Sequence, residues 1–149
     1  MERLIERAYQ LALEDLKLDW KELPGLKSNP LIIECYKSVD GLNNPEMLDD
    51  SETAWCSCWM NKKIQDVGGK GTRSAGARSW LRWGEEVKAP KVGDIVIFKI
   101  GKSNWKAHVA FINEITPNYF VCLGANQKNA VGLQKYERKN ILGFRTSKD

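Results

Sequence analysis

Helices first and an antiparallel β-sheet second, an α+β domain, is the architecture that the 149-residue sequence predicts. Three observations carry it. Up to Gly84 the apolar residues recur at helical spacing, and beyond Pro90 they gather in short β-branched runs. No internal repeat, low-complexity tract or linker separates the two halves. With 42% hydrophobic and 28% charged residues, the chain has the profile of a single globular domain. A domain of this length buries roughly two-thirds of its unfolded surface, enough for a core without disulfide or metal staples.

The elements follow in order. Leu4, Ile5, Ala8, Leu11, Ala12 and Leu16 form the apolar stripe of an amphipathic helix that Leu23-Pro24-Gly25 breaks. Asn29-Pro30 opens a shorter helix through Leu31, Ile32, Cys35 and Tyr36, ending near Asp40-Gly41. A polar loop runs from Leu42 to Ser51. From Thr53 the spacing of Trp55, Trp59 and Ile64 predicts a third helix stopped by Gly68-Gly69, and this places Cys56 in its first turn. Thr72 to Gly84, with Ala75, Ala77, Trp80, Leu81 and Trp83, reads as a fourth. Strands are expected at 95–100, 107–115, 118–123, 131–136 and 141–145, arranged as a meander with a tight hairpin at Thr116-Pro117-Asn118.

Composition excludes several classes of function. No apolar run approaches the ~20 residues of a membrane span, and the charged start, Met1-Glu2-Arg3-Leu4-Ile5-Glu6-Arg7, is unlike a signal peptide, so the chain is expected to be made in the cytoplasm. The net charge of +4 is spread along the chain and favours anionic partners only mildly. In a reducing compartment the four cysteines are not a disulfide framework.

A cysteine nucleophile must be a thiolate, and the positive end of a helix dipole beside an imidazole lowers its pKa. Cys56 is placed for this. Cys58 lies about 200° further round the helix, so only one of the two can face a given cleft. Cys35 and Cys122 sit inside apolar runs as buried small hydrophobes. The general base of a cysteine hydrolase here must be His108, the sole histidine, 108 − 56 = 52 residues downstream at the start of a strand. An Asn, Asp, Glu or carbonyl must orient the far imidazole nitrogen, and Asn126 is the best-placed candidate. Cys56-Ser57-Cys58 is one residue short of a zinc knuckle, and Asp49, Asp50 and Glu52 lack the spacing of a calcium loop, so no metal or other cofactor is expected. Gly68-Gly69-Lys70-Gly71-Thr72 lacks the Walker spacing. The tryptophans are assigned to the core and to a carbohydrate- or peptide-binding groove.

The stretches Glu52-Thr53-Ala54-Trp55-Cys56-Ser57, Gly71 to Gly84, Pro90 to Val96, His108-Val109-Ala110-Phe111 and Leu123-Gly124-Ala125-Asn126-Gln127, in this order, resemble the CHAP and NlpC group of papain-like cell-wall hydrolases. The resemblance is strongest to a short single-domain branch common in phages and prophages. It implies a papain-like fold over one domain, 1–149, with an N-terminal helical part (1–48) and a catalytic core (49–149). It further implies Cys56 as nucleophile, His108 as base and Asn126 as orienting residue. Many CHAP domains carry Glu two residues before the Asn, where this chain has Gly124, so a triad is expected. Many also carry Gln before the cysteine, where Trp55 stands, so the backbone N–H of Cys56 is the expected oxyanion donor.

The function expected on this basis is that of a cysteine amidase or endopeptidase cutting an amide of peptidoglycan, as a monomeric phage endolysin that reaches the wall through a membrane lesion. Trp55, Asp50, Glu52, Trp80, Trp105 and Gln127 are the expected substrate contacts. Nucleic acid and stable membrane insertion are not expected. The alternatives are an inactive binding module on the same fold and a delivered wall-degrading toxin.

Overall fold

The computed structural model describes residues 2–18, 30–41, 55–102, 106–127 and 130–149, with the backbone alone at positions 30, 126 and 127. The polar loop expected from Leu42 to Ser51 lies outside these residues. Within them, helix α1 (Leu4–Asp15) buries Ile5, Ala8, Tyr9 and Ala12, the i, i+3, i+4, i+7 face of its stripe. Helix α2 (Pro30–Tyr36) buries Ile32, Cys35 and Tyr36. Helix α3 (Cys56–Asp66) is covered on most sides, by α1, α2 and the sheet, and buries Cys56, Ser57, Cys58, Trp59, Met60, Asn61, Lys63 and Ile64.

Glycine ends α3. Gly68 takes φ +87°, its N–H meets the Gln65 carbonyl at 2.9 Å, and the Gly69 N–H reaches back to Ile64 at 3.0 Å, the paired bonds of a Schellman cap. A Cβ at Gly69 would lie 2.8 Å from a Leu4 methyl, so this turn also sets how closely α1 approaches α3.

The segment expected as a fourth helix from Thr72 to Gly84 is instead an irregular stretch to Gly76 followed by a 3₁₀ helix, Ala77–Arg82. Its first half is held by side chains, not by a helical ladder. Asn61 of α3 donates to the Ser74 carbonyl and accepts from the Arg73 N–H at 2.9 Å, while Arg73 adopts φ +57° and pairs with Asp40. A Cβ at Gly71 would collide with Asn61 Oδ1.

The sheet comprises β1 (Glu85–Glu86), β2 (Ile95–Lys99), β3 (Ala107–Ile115), β4 (Tyr119–Gln127), β5 (Ala130–Glu137) and β6 (Ile141–Thr146), all antiparallel, in the order β1-β6-β2-β3-β4-β5. The expected strands are present. The meander covers β2 to β5, and β6 then returns to pair with the far side of β2, a departure from simple chain order. Strand β1, two glutamates with no apolar pattern, had no signal in the sequence.

Alternation along the strands divides the interior in two. Ile95, Ile97, Val109, Phe111, Leu123 and Ala125 face the helices, while Val96, Phe98, Ala110, Ile112, Phe120 and Cys122 form a second cluster on the other face. Curvature closes this second cluster. Phe120 of β4 meets Phe144 of β6 at 5.5 Å between centroids, and Phe98 of β2 stacks on Tyr136 of β5 at 4.5 Å, each across two intervening strands.

Candidate active site

Cys56 is the first residue of α3, where backbone N–H groups have no partner within the helix and the dipole is positive. Its sulfur accepts hydrogen bonds from the His108 side chain and from the backbone N–H groups of Val109 and Ser57. Burial pushes the thiol pKa up. The charge of His108, its hydrogen bond and the two N–H groups outweigh that push and hold Cys56 below the ordinary thiol value.

The other cysteines move the opposite way. Burial raises Cys58 and Cys122 to about 12 and Cys35 well above the ordinary value. Cys56 retains 5% exposure, whereas these three retain none. All four are free thiols. The helical offset between Cys56 and Cys58 thus separates an activated sulfur at the sheet rim from an inert one in the core.

His108 is the second residue of β3, opposite Phe98 of β2, and keeps 7% exposure. Its strand neighbours Val109 and Phe111 point to the helices. The imidazole shares the second face with Phe98 and lies against the Tyr136 ring, centroids 5.5 Å apart and planes tilted by 31°. Tyr136 is a site residue that sequence reasoning missed. Burial, then the charges of Cys122 and Cys56, raise its hydroxyl pKa, which keeps the phenol neutral.

Asn126 lies in β4 near its end. The pairing of Phe111 with Leu123 leads to His108 three residues along β3 and to Asn126 three residues along β4, which puts the two backbones at the same end of the strand pair. The Asn126 side chain lies outside the described residues, as does that of Gln127. Beside them Gly124 pairs with Gly132, and the β4–β5 register shifts between Gly124 and Gln127. The position that carries Glu in many CHAP domains thus has no side chain here.

A buried polar network fixes Ser57, the residue after Cys56. Ser57 Oγ donates to the Ser74 carbonyl at 2.6 Å and accepts from the Trp80 indole at 2.9 Å, while Asn61 Nδ2 donates to the Ser57 carbonyl at 3.0 Å. Trp55 and Trp80, expected along a substrate groove, are instead fully buried in the core. The reason is packing: both indoles belong to the core cluster on the helix side of the sheet, and the Trp80 N–H is spent on Ser57. Asp50, Glu52 and Trp105 lie outside the described residues. Among the described residues, no group of three His, Cys, Asp or Glu side chains could hold a metal ion.

The CHAP domain family matches residues 48–126, just over half of the chain, a span that contains Cys56, His108 and Asn126. No curated protein matches the chain.

Proposed function

The chain belongs to the CHAP domain family, and from that premise we propose that it hydrolyses an amide bond of peptidoglycan with Cys56 as nucleophile, His108 as acid and base, and Asn126 as the residue that orients the imidazole. CHAP domains are in general cysteine- and histidine-dependent amidases or peptidases acting on this polymer. One observation carries the residue assignment: of the four thiols, only Cys56 is held below its ordinary pKa, and the partner that holds it is the sole histidine.

The chemistry follows from that pair. The Cys56 thiolate attacks the amide carbonyl carbon, forming a C–S bond, and the charge gathering on oxygen is met by the backbone N–H of Cys56 at the helix start. His108 gives its proton to the departing nitrogen as the C–N bond breaks, leaving a thioester and a free amine. Water then loses a proton to His108 and attacks the thioester carbon. The C–S bond breaks, and the product acid, the thiolate and the imidazolium result. Trp55, which stands where many CHAP domains carry Gln, is sealed in the core and supplies no donor.

The biological role we assign is wall lysis as a phage endolysin, a reading that rests on the order of the motifs and on the mild positive charge suited to an anionic envelope. Purified protein incubated with sacculi should release new amino termini, and mass spectrometry of the fragments should identify the bond. Cys56→Ala should abolish release while the melting temperature stays within a few degrees. Undiminished release by that variant overturns the reading.

A further inference from the structure

Three cavities of the described surface gather around residues 69–74, and Trp83 lines two of them. One cavity, of about 520 Å³, is lined by Leu4, Gly69, Lys70, Trp83 and Lys148, among others. The second, of about 300 Å³, is lined by Thr72, Ser74, Ser79, Arg82 and Trp83 with Gly71. We infer that Trp83 and these two cavities bind the sugar strand of peptidoglycan while the amide is presented to Cys56, an inference that rests on the function proposed above.

The indole is built as a platform. Its N–H donates to the Lys70 carbonyl at 2.7 Å, and its ring meets Trp80 edge-on at 5.2 Å, so its orientation is fixed before any ligand arrives. Trp83 is only partly buried, unlike Trp55, Trp59 and Trp80. An amino-sugar ring offers C–H groups on its face and hydroxyl and amide groups at its edge. An indole flanked by hydroxyls matches both, and the combined volume suits a few such rings.

The hydroxyls stand on the Arg82 side of the platform. Ser79 Oγ donates to the Gly76 carbonyl at 2.7 Å and lies in hydrogen-bond contact with Thr72 Oγ1 at 2.8 Å, which holds them in place. The cations flank both cavities. Among the described residues, Lys70, Arg82 and Lys148 form no ion pair, so they are available to the carboxylates of the polymer, with Asp149 the one acid on the larger cavity.

The direction of the trough joins it to the chemistry. Residues 69–74 run back along α3 from its C-terminal cap to Ser57, whose hydroxyl bonds the Ser74 carbonyl. The distance covered is the length of α3, roughly 16 Å for its 11 residues. A strand lying in the trough is thereby led from Trp83 toward the end of the helix that carries Cys56.

Calorimetric titration of the Cys56→Ala protein with glycan strands stripped of their stem peptides, whose lactyl groups end in carboxylates, tests the inference. Binding is expected, weakened about tenfold in a Lys70→Glu/Arg82→Glu variant and in a Trp83→Ala variant. Trp83 touches the core, so the charge variant stands as the test if Trp83→Ala does not fold. No binding to bare strands, equal affinity in the charge variant, or binding only to a poly(glycerol phosphate) control overturns the trough. Hydrolysis of sacculi by the unaltered protein is measured alongside. Sacculi cut without strand binding remove the trough alone, and strand binding without cutting removes the hydrolase reading alone.

Discussion

The His108 imidazole lies on the ring of Tyr136, 5.5 Å between centroids, and Tyr136 in turn stacks on Phe98 at 4.5 Å. The base of the proposed reaction is therefore backed by two aromatic rings from strands on either side of it. Loss of the middle ring frees the imidazole to leave the sulfur, and a displacement of about 1 Å costs on the order of a hundredfold in rate. Tyr136→Ala should lower kcat by one to two orders of magnitude with little change in KM. Because burial keeps the phenol neutral, Tyr136→Phe should retain near-normal rate and an unshifted pH profile. A large loss in Tyr136→Phe would assign the role to the hydroxyl instead of the ring.

The divergence of the four thiols gives a second test. Near pH 7, iodoacetamide should modify Cys56 fast and leave Cys35, Cys58 and Cys122 essentially untouched, since burial holds those three far above neutrality. In His108→Ala the charge and the side-chain hydrogen bond disappear while burial remains, so the Cys56 thiol should rise above its ordinary value and its alkylation at pH 7 should slow at least tenfold. The same shift bears on stability. A folded-state pKa below that of the unfolded thiol contributes stability that is complete above the unfolded value and is lost as pH falls through the depressed one. The wild-type melting temperature should therefore fall over that window more than that of Cys56→Ala.

Asn61 anchors the segment beside α3 through four contacts, to the Ser57 carbonyl, the Ser74 carbonyl, Thr72 Oγ1 and the Arg73 N–H. Asn61→Ala should cost about 2–3 kcal/mol by urea denaturation, because it strands several buried polar groups. Asn61→Asp is nearly isosteric yet replaces a donor with an acceptor facing two carbonyls, and it should be the more damaging of the two. Wild-type stability in Asn61→Asp beside a clear loss in Asn61→Ala would show that volume, not hydrogen bonding, is what the site needs.

What could be read from the sequence, and what could not, divides along the same physical lines. The strands from Ile95 to Arg145 were legible because β-branched runs state their own period, and the start of α3 was legible because its stripe begins just before Cys56. Thr72 to Gly84 is ambiguous in sequence because the spacing of Trp80, Leu81 and Trp83 suits a 3₁₀ turn as well as an α-helix. The decisive influence, Asn61 reaching across from α3, is tertiary. The return of β6 to β2 and the approach of Tyr136 to His108 both depend on the curl of the sheet, which no local pattern encodes. Trp55 and Trp80 were expected at a groove because aromatic content does not distinguish an inward from an outward indole.

A buried ion pair between α1 and α3 was equally silent in the sequence and supplies the last test. Lys63 Nζ lies 2.8 Å from Asp15 Oδ2, both side chains under 10% exposed, and the same carboxylate oxygen accepts the Trp59 indole N–H at 2.8 Å. Removing two charges from water costs several kcal/mol each, and the pair's attraction offsets that only while both partners are present. Asp15→Leu leaves an ammonium buried without its closest carboxylate, Asp66 lying 4.0 Å away, and should destabilise by about 3–5 kcal/mol. The Asp15→Leu/Lys63→Met double variant should recover much of that loss, since neither charge of the pair is left buried alone, although the Trp59 indole N–H loses its acceptor. Urea denaturation of the two single variants and the double closes the cycle, and strictly additive losses would show that the two charges do not depend on each other.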